Sequence, residues 1–220
     1  MFRKIKQRYF NFLKSKFFIT KIEGDSDEYE ILESAVKKLN NPKGTSFEIG
    51  VRRGMGSKRI IDAYRKYHPQ VKELIHIGLD PYGNLPYTFS ENKKNSTEGD
   101  YSNLMKREML INFLKKYKEF YFINLDTHEF FNRFKDGYPV YSGGKKIINK
   151  FEIVHFDGLH DLENVTLEVK YFLNHLCSQT IFIFDDIDSF DMEKIKEILF
   201  KNNFKTLDTG KRKASFEYKE

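Results

Sequence analysis

SFEIGVRRGMGS, residues 46–57, decides the fold. Its apolar residues Phe47, Ile49 and Val51 predict a buried strand over 46–51. Gly50, Gly54 and Gly56 then punctuate the chain, and helical spacing predicts a helix from Ser57 to Tyr67. A strand, a glycine turn and a helix form the first half of a unit that repeats when parallel strands alternate with helices.

The alternation continues outward. Upstream, a helix is predicted from Ser26 to Asn40, stopped by the Asn41-Pro42-Lys43-Gly44 turn. Downstream, ELIHIGLD (73–80) reads as a strand, Ser102 to Tyr117 as a helix and FYFINL (120–125) as a strand. A short helix and a loop over 136–150 follow. FEIVHFD (151–157) is a strand, Leu162 to Leu176 a helix, TIFIFDD (180–186) a strand and Met192 to Asn202 a helix. FKTLD and ASFEYK close the chain as an antiparallel pair. The expected fold is α/β: a Rossmann-like, doubly wound, mainly parallel seven-stranded sheet with an antiparallel C-terminal strand and helices on both faces. The length of 220 residues suits one such domain, 23–220, preceded by a short segment, 1–22.

That segment carries more positive charge than the whole chain's net +6, with Arg3, Lys4, Lys6, Arg8, Lys14, Lys16 and Lys21 ahead of the first acid, Glu23. Phe2, Ile5, Tyr9, Leu13 and Phe17 recur at helical spacing between them. Two readings stay open: a helix packed on its own domain or a second subunit, or an amphipathic helix on the inner face of an anionic membrane. The rest of the chain is near neutral, which argues against nucleic acid as a partner. The single cysteine, Cys177, excludes an internal disulfide and fits a reducing, cytoplasmic setting. The apolar runs are too short to span a membrane.

Parallel α/β sheets bind ligands at the carboxyl ends of their strands. After the first strand the glycines run G-x-x-x-G-x-G, not the G-x-G-x-x-G of a dinucleotide site, and Glu48 precedes them. An acid there serves no pyrophosphate. It suits a cationic, amino-acid-bearing ligand such as S-adenosylmethionine, with Gly50, Gly54, Gly56 and Ser57 forming the turn and the donor-rich helix start. Asp80, ending the second strand, is placed to accept from both ribose hydroxyls. Asp126, followed by Thr127, either contacts the adenine side or caps the next helix.

The fourth strand ends in Asp157-Gly158-Leu159-His160 and the fifth in Asp185-Asp186. Adjacent strands lie roughly 4.8 Å apart, so these carboxylates can converge, and a hard divalent ion such as Mg²⁺ would relieve their repulsion. His160 is placed to remove a proton at neutral pH.

FEIGVRRGMGS, HIGLDPYG, FINLDTHEF, IVHFDGLHDLENVTLEVKYFL and IFIFDD together resemble the class I S-adenosylmethionine-dependent methyltransferases. They look most like bacterial metal-dependent sugar O-methyltransferases of the macrolide-sugar and rhamnosyl types and their cephalosporin-hydroxylase-like relatives. The resemblance implies the donor's methionine part at Glu48, Gly50 and Gly54, its ribose at Asp80, Mg²⁺ at Asp157, Asp185 and Asp186, and His160 as base. Leu159 stands where that group often has an acid. The expected activity is methyl transfer to a hydroxyl of a sugar, glycan or other small molecule. The competing expectations are a nicotinamide oxidoreductase on the same scaffold and a non-catalytic module docking on a membrane or glycan-assembly complex through residues 1–22.

Overall fold

The computed structural model describes residues 22–24, 26–83 and 101–220. The predicted N-terminal helix and most of the 81–101 segment fall outside them. The described chain runs α1 (Tyr29–Lys38), β1 (Thr45–Ile49), α2 (Met55–Tyr67), β2 (Ile75–Leu79), α3 (Asn103–Lys116), β3 (Phe120–Ile123), α4 (Thr127–Arg133), β4 (Tyr138–Tyr141), β5 (Lys145–Ile148), β6 (Phe151–Phe156), α5 (Leu162–Leu173), β7 (Leu176–Phe184), α6 (Met192–Lys201), β8 (Phe204–Thr209) and β9 (Ala214–Tyr218).

Seven strands form one sheet in the order β3-β2-β1-β6-β7-β9-β8. The first five of that order are mutually parallel, and β9 runs antiparallel to both β7 and β8. The expected architecture is therefore present. The chain winds outward from β1 to β3, then returns to lay β6 on the other side of β1. The strand order switches between β1 and β6, which is where such sheets open a ligand crevice.

Successive side chains of a strand face opposite sides, and the core divides accordingly. Phe182 and Phe184 of β7 join the cluster under α4, α5 and α6, with Phe47, Phe130, Phe156 and Phe172. Ile181 and Ile183 join the cluster under α1, α2 and α3, with Leu32, Ile60 and Phe113. Helices thus cover both faces.

Three departures from expectation are the largest. Residues 136–150 hold the antiparallel hairpin β4–β5 in place of a loop, turning at Ser142-Gly143-Gly144. Its strands have four residues each and include Pro139 and two lysines, so little periodicity betrays them. Helix α5 ends at Leu173, because β7 begins already at Leu176 and pairs there with Phe151. Helix α1 begins at Tyr29, because Glu28 adopts a left-handed conformation and accepts the backbone N–H groups of Lys211, Arg212 and Lys213.

Candidate functional site

The crevice starts at the glycine turn. Gly50 has φ +81°, and a Cβ there would sit 1.7 Å from the Asp157 carbonyl oxygen, so only glycine lets β1 and β6 close at their carboxyl ends. Gly54 immediately precedes α2, against the Phe113 ring. Asp80 clamps the turn. Its Oδ2 accepts from Val51 N–H at 3.0 Å and Arg52 N–H at 2.9 Å, and its Oδ1 from Tyr82 N–H at 3.0 Å. Burial raises this carboxyl to about 6, against the pull of those backbone donors. Two oxygens offer about four acceptor positions, and three are taken. Asp80 can accept one ribose hydroxyl without breaking a protein bond, where the sequence suggested two.

A cavity of about 190 Å³ opens beside this clamp. Five of the expected residues line it: Gly50, Asp80, Asp126, Thr127 and Asp157. Asp126 also caps α4, accepting from Glu129 N–H at 2.7 Å, so the capping role is real and coexists with a place on the cavity wall.

Glu48, Gly54, Gly56 and Ser57 are not on that wall. Glu48 is buried behind the turn, above Gly56, where a side chain would collide with its carboxylate. Its Oε1 bonds His155 Nδ1 at 2.9 Å, and its Oε2 accepts from the Ser57 hydroxyl. Ser57 in turn meets His76 Nε2 at 2.9 Å, and His76 Nδ1 meets Ser46 Oγ at 2.8 Å. In this structure Glu48 is the anchor of a buried histidine network. Burial pushes its carboxyl up, but the hydrogen bond from His155, nearby His76 and their charges hold it down at about 2, from 4.5. A depressed acid stabilises the fold above its unfolded value and loses that contribution as pH falls through its folded value. The melting temperature should therefore fall as pH drops from about 4.5 to about 2. Glu48→Gln should flatten that slope in a calorimetric pH series, and an unchanged slope would show that the acid transition lies elsewhere.

At the far side of the crevice the acids are not uncompensated, which corrects the premise of a three-carboxylate metal cage. Asp185 Oδ2 lies 2.5 Å from Lys213 Nζ, with both side chains almost fully buried. Burial opposes ionisation of Asp185, but the Lys213 charge foremost holds it at about 2. Asp186, in a left-handed conformation at φ 48°, pairs with Arg212. Among the described residues, the one set of three donors all within 4.8 Å of one another is Glu48, His155 and Asp157, and there Glu48 and His155 already bind each other. As arranged, Asp157, Asp185 and Asp186 do not fit a resident divalent ion.

They do lie around His160. His160 Nε2 lies 3.4 Å from Asp186 Oδ2 and 3.8 Å from Asp157 Oδ1. Burial holds its imidazole below 6.5, outweighing the nearby carboxylates. That direction favours the neutral imidazole, which can take a proton, while the carboxylates steady the cation that results.

No family model matches the sequence, and no curated protein matches it. Solved structures do match its shape. CalS11, the calicheamicin methyltransferase, is 14% identical with a TM-score of 0.58, covering 98% of this chain and 86% of its own. Its apo structure is described as TDP-rhamnose 3'-O-methyltransferase. The fold is that of the class I methyltransferases. The O-methyltransferase NovP is 17% identical with a TM-score of 0.53, covering 87% of this chain and 79% of its own. SMU.1697c, a candidate methyltransferase from Streptococcus mutans in complex with SAH, is 8% identical with a TM-score of 0.55, covering 88% and 99%.

On this methyltransferase fold, sequence reasoning missed four residues of consequence. Arg212 and Lys213 reach the acids from the β8–β9 turn, and the basic run Lys211-Arg212-Lys213 was the available signal. His155, one residue before the strand end, ties Glu48 to β6. Glu168 lines the cavity from α5, and an acid on the buried face of an apolar helix was its signal.

Proposed function

We propose that the protein transfers a methyl group from S-adenosylmethionine to a hydroxyl of a sugar, glycan or similar small molecule. The observation that carries this reading is the buried His160 held between Asp157 and Asp186 at the carboxyl end of the sheet, with Asp157 also on the cavity wall. Gly50, Asp80, Asp126 and Thr127 would hold the donor, which supplies an electrophilic methyl on a sulfonium. His160 would take the acceptor's hydroxyl proton as its oxygen bonds to that methyl carbon and the carbon–sulfur bond breaks, leaving S-adenosylhomocysteine. The protein's main contribution is alignment of the two reactants. The sugar acceptor is favoured by the sequence resemblance and by the rhamnose substrate of CalS11. No metal enters the step, because Lys213 and Arg212 already supply cations to Asp185 and Asp186.

The test is transfer of radiolabelled methyl from S-adenosylmethionine to nucleotide sugars and simple glycosides, with EDTA or with Mg²⁺. Transfer that persists in EDTA is expected. Activity lost in EDTA and restored by Mg²⁺ would show that a metal displaces one of the two cations. Absence of transfer to every hydroxyl acceptor would contradict the proposed acceptor class.

A further inference from the structure

Helix α5 buries Val165, Val169 and Phe172 on one face, and Glu168 sits on that same face. It is 1% exposed, and its Oε2 has no hydrogen-bond partner. Its Oε1 lies beside Gly158, where a Cβ would be 3.5 Å away. Glu168 lines the cavity with Leu125, Asp126, Thr127, Gly158 and Leu159, on a surface that is otherwise mostly apolar. Burial, helped by the Asp161 charge, pushes this carboxyl well above the usual range. A neutral carboxyl offers one O–H donor and one carbonyl acceptor side by side. The amino-bearing edge of adenine offers the complement, an N–H donor beside a ring nitrogen that accepts.

We propose that Glu168 reads the amino-bearing edge of the donor's adenine ring, accepting from its amine and donating to the adjacent ring nitrogen. This rests on the methyl-donor reading above and deepens it. It explains why the helix keeps an acid where an apolar residue would pack: an unpartnered buried polar group destabilises a fold, and one that meets a ligand is satisfied on binding.

Two variants separate this role from a structural one. Glu168→Gln keeps a neutral donor and acceptor. Glu168→Met keeps the size and removes both. Calorimetric titration with S-adenosylhomocysteine should show Glu168→Met binding about ten- to hundredfold more weakly, as expected for two lost neutral hydrogen bonds, and Glu168→Gln within about threefold of the unmodified protein. Glu168→Met should melt at or above the unmodified protein, where a structural role would lower its melting temperature. A purine analogue of S-adenosylhomocysteine lacking the 6-amino group should bind the unmodified protein more weakly than the parent compound, and Glu168→Met should no longer distinguish the two. Unchanged affinity in Glu168→Met, or discrimination that survives it, overturns the inference while leaving the methyl-donor reading intact. An unmodified protein that binds no S-adenosylhomocysteine overturns both.

Discussion

Replacing His160 with alanine should lower kcat about 10²- to 10⁴-fold, the range expected when a positioned general base is removed. KM for the methyl donor should change little, because His160 is not on the cavity wall to which the proposal assigns it. The pH profile gives a second readout. The imidazole is held below 6.5, so kcat should fall as pH drops through a value under 6.5, where protonation removes the base. Glu168→Gln, which leaves His160 in place, should keep that limb. A His160→Ala enzyme with full kcat would show that the acceptor is deprotonated by another group.

Replacing Lys213 with methionine should destabilise the fold by about 3–5 kcal/mol, because it strands the buried Asp185 carboxylate without its partner. For a chain of this size that corresponds to a fall in melting temperature of about 6–20 °C. Removing both charges together, as Lys213→Met with Asp185→Leu, should recover most of the loss, since a buried pair replaced by apolar residues is often neutral. The cycle of single and double variants measures this coupling directly. A Lys213→Met protein as stable as the original would mean that Asp185 has another counter-ion, and the argument against a divalent ion at these strand ends would lose its main support.

The sheet was legible in the sequence because its signals are local. Phe47 and Ile49, Ile75 to Leu79, and Ile181 to Phe184 are short apolar runs, each separated from the next by a helical pattern. The places of Gly50, Asp80 and Asp157 followed from strand ends. What could not be read was pairing across long separations. Lys213 stands 28 positions beyond Asp185. It becomes Asp185's neighbour only through the β7–β9 register, in which Phe184 pairs with Ala214. Glu48 looked like a ligand-facing acid because its strand position is right. The side chain instead turns to His155, which the parallel register of β1 and β6 sets directly beside it. The acids at the strand ends were correctly located, but their charge balance is a tertiary property.

The central claim is that this crevice binds the methyl donor. It is tested most directly by calorimetric titration of the full chain with S-adenosylhomocysteine and, separately, with NAD. Saturable 1:1 binding of S-adenosylhomocysteine, weakened by Asp80→Asn and with no comparable binding of NAD, is the predicted result. Binding of NAD in preference to S-adenosylhomocysteine, or binding of neither, would contradict the account.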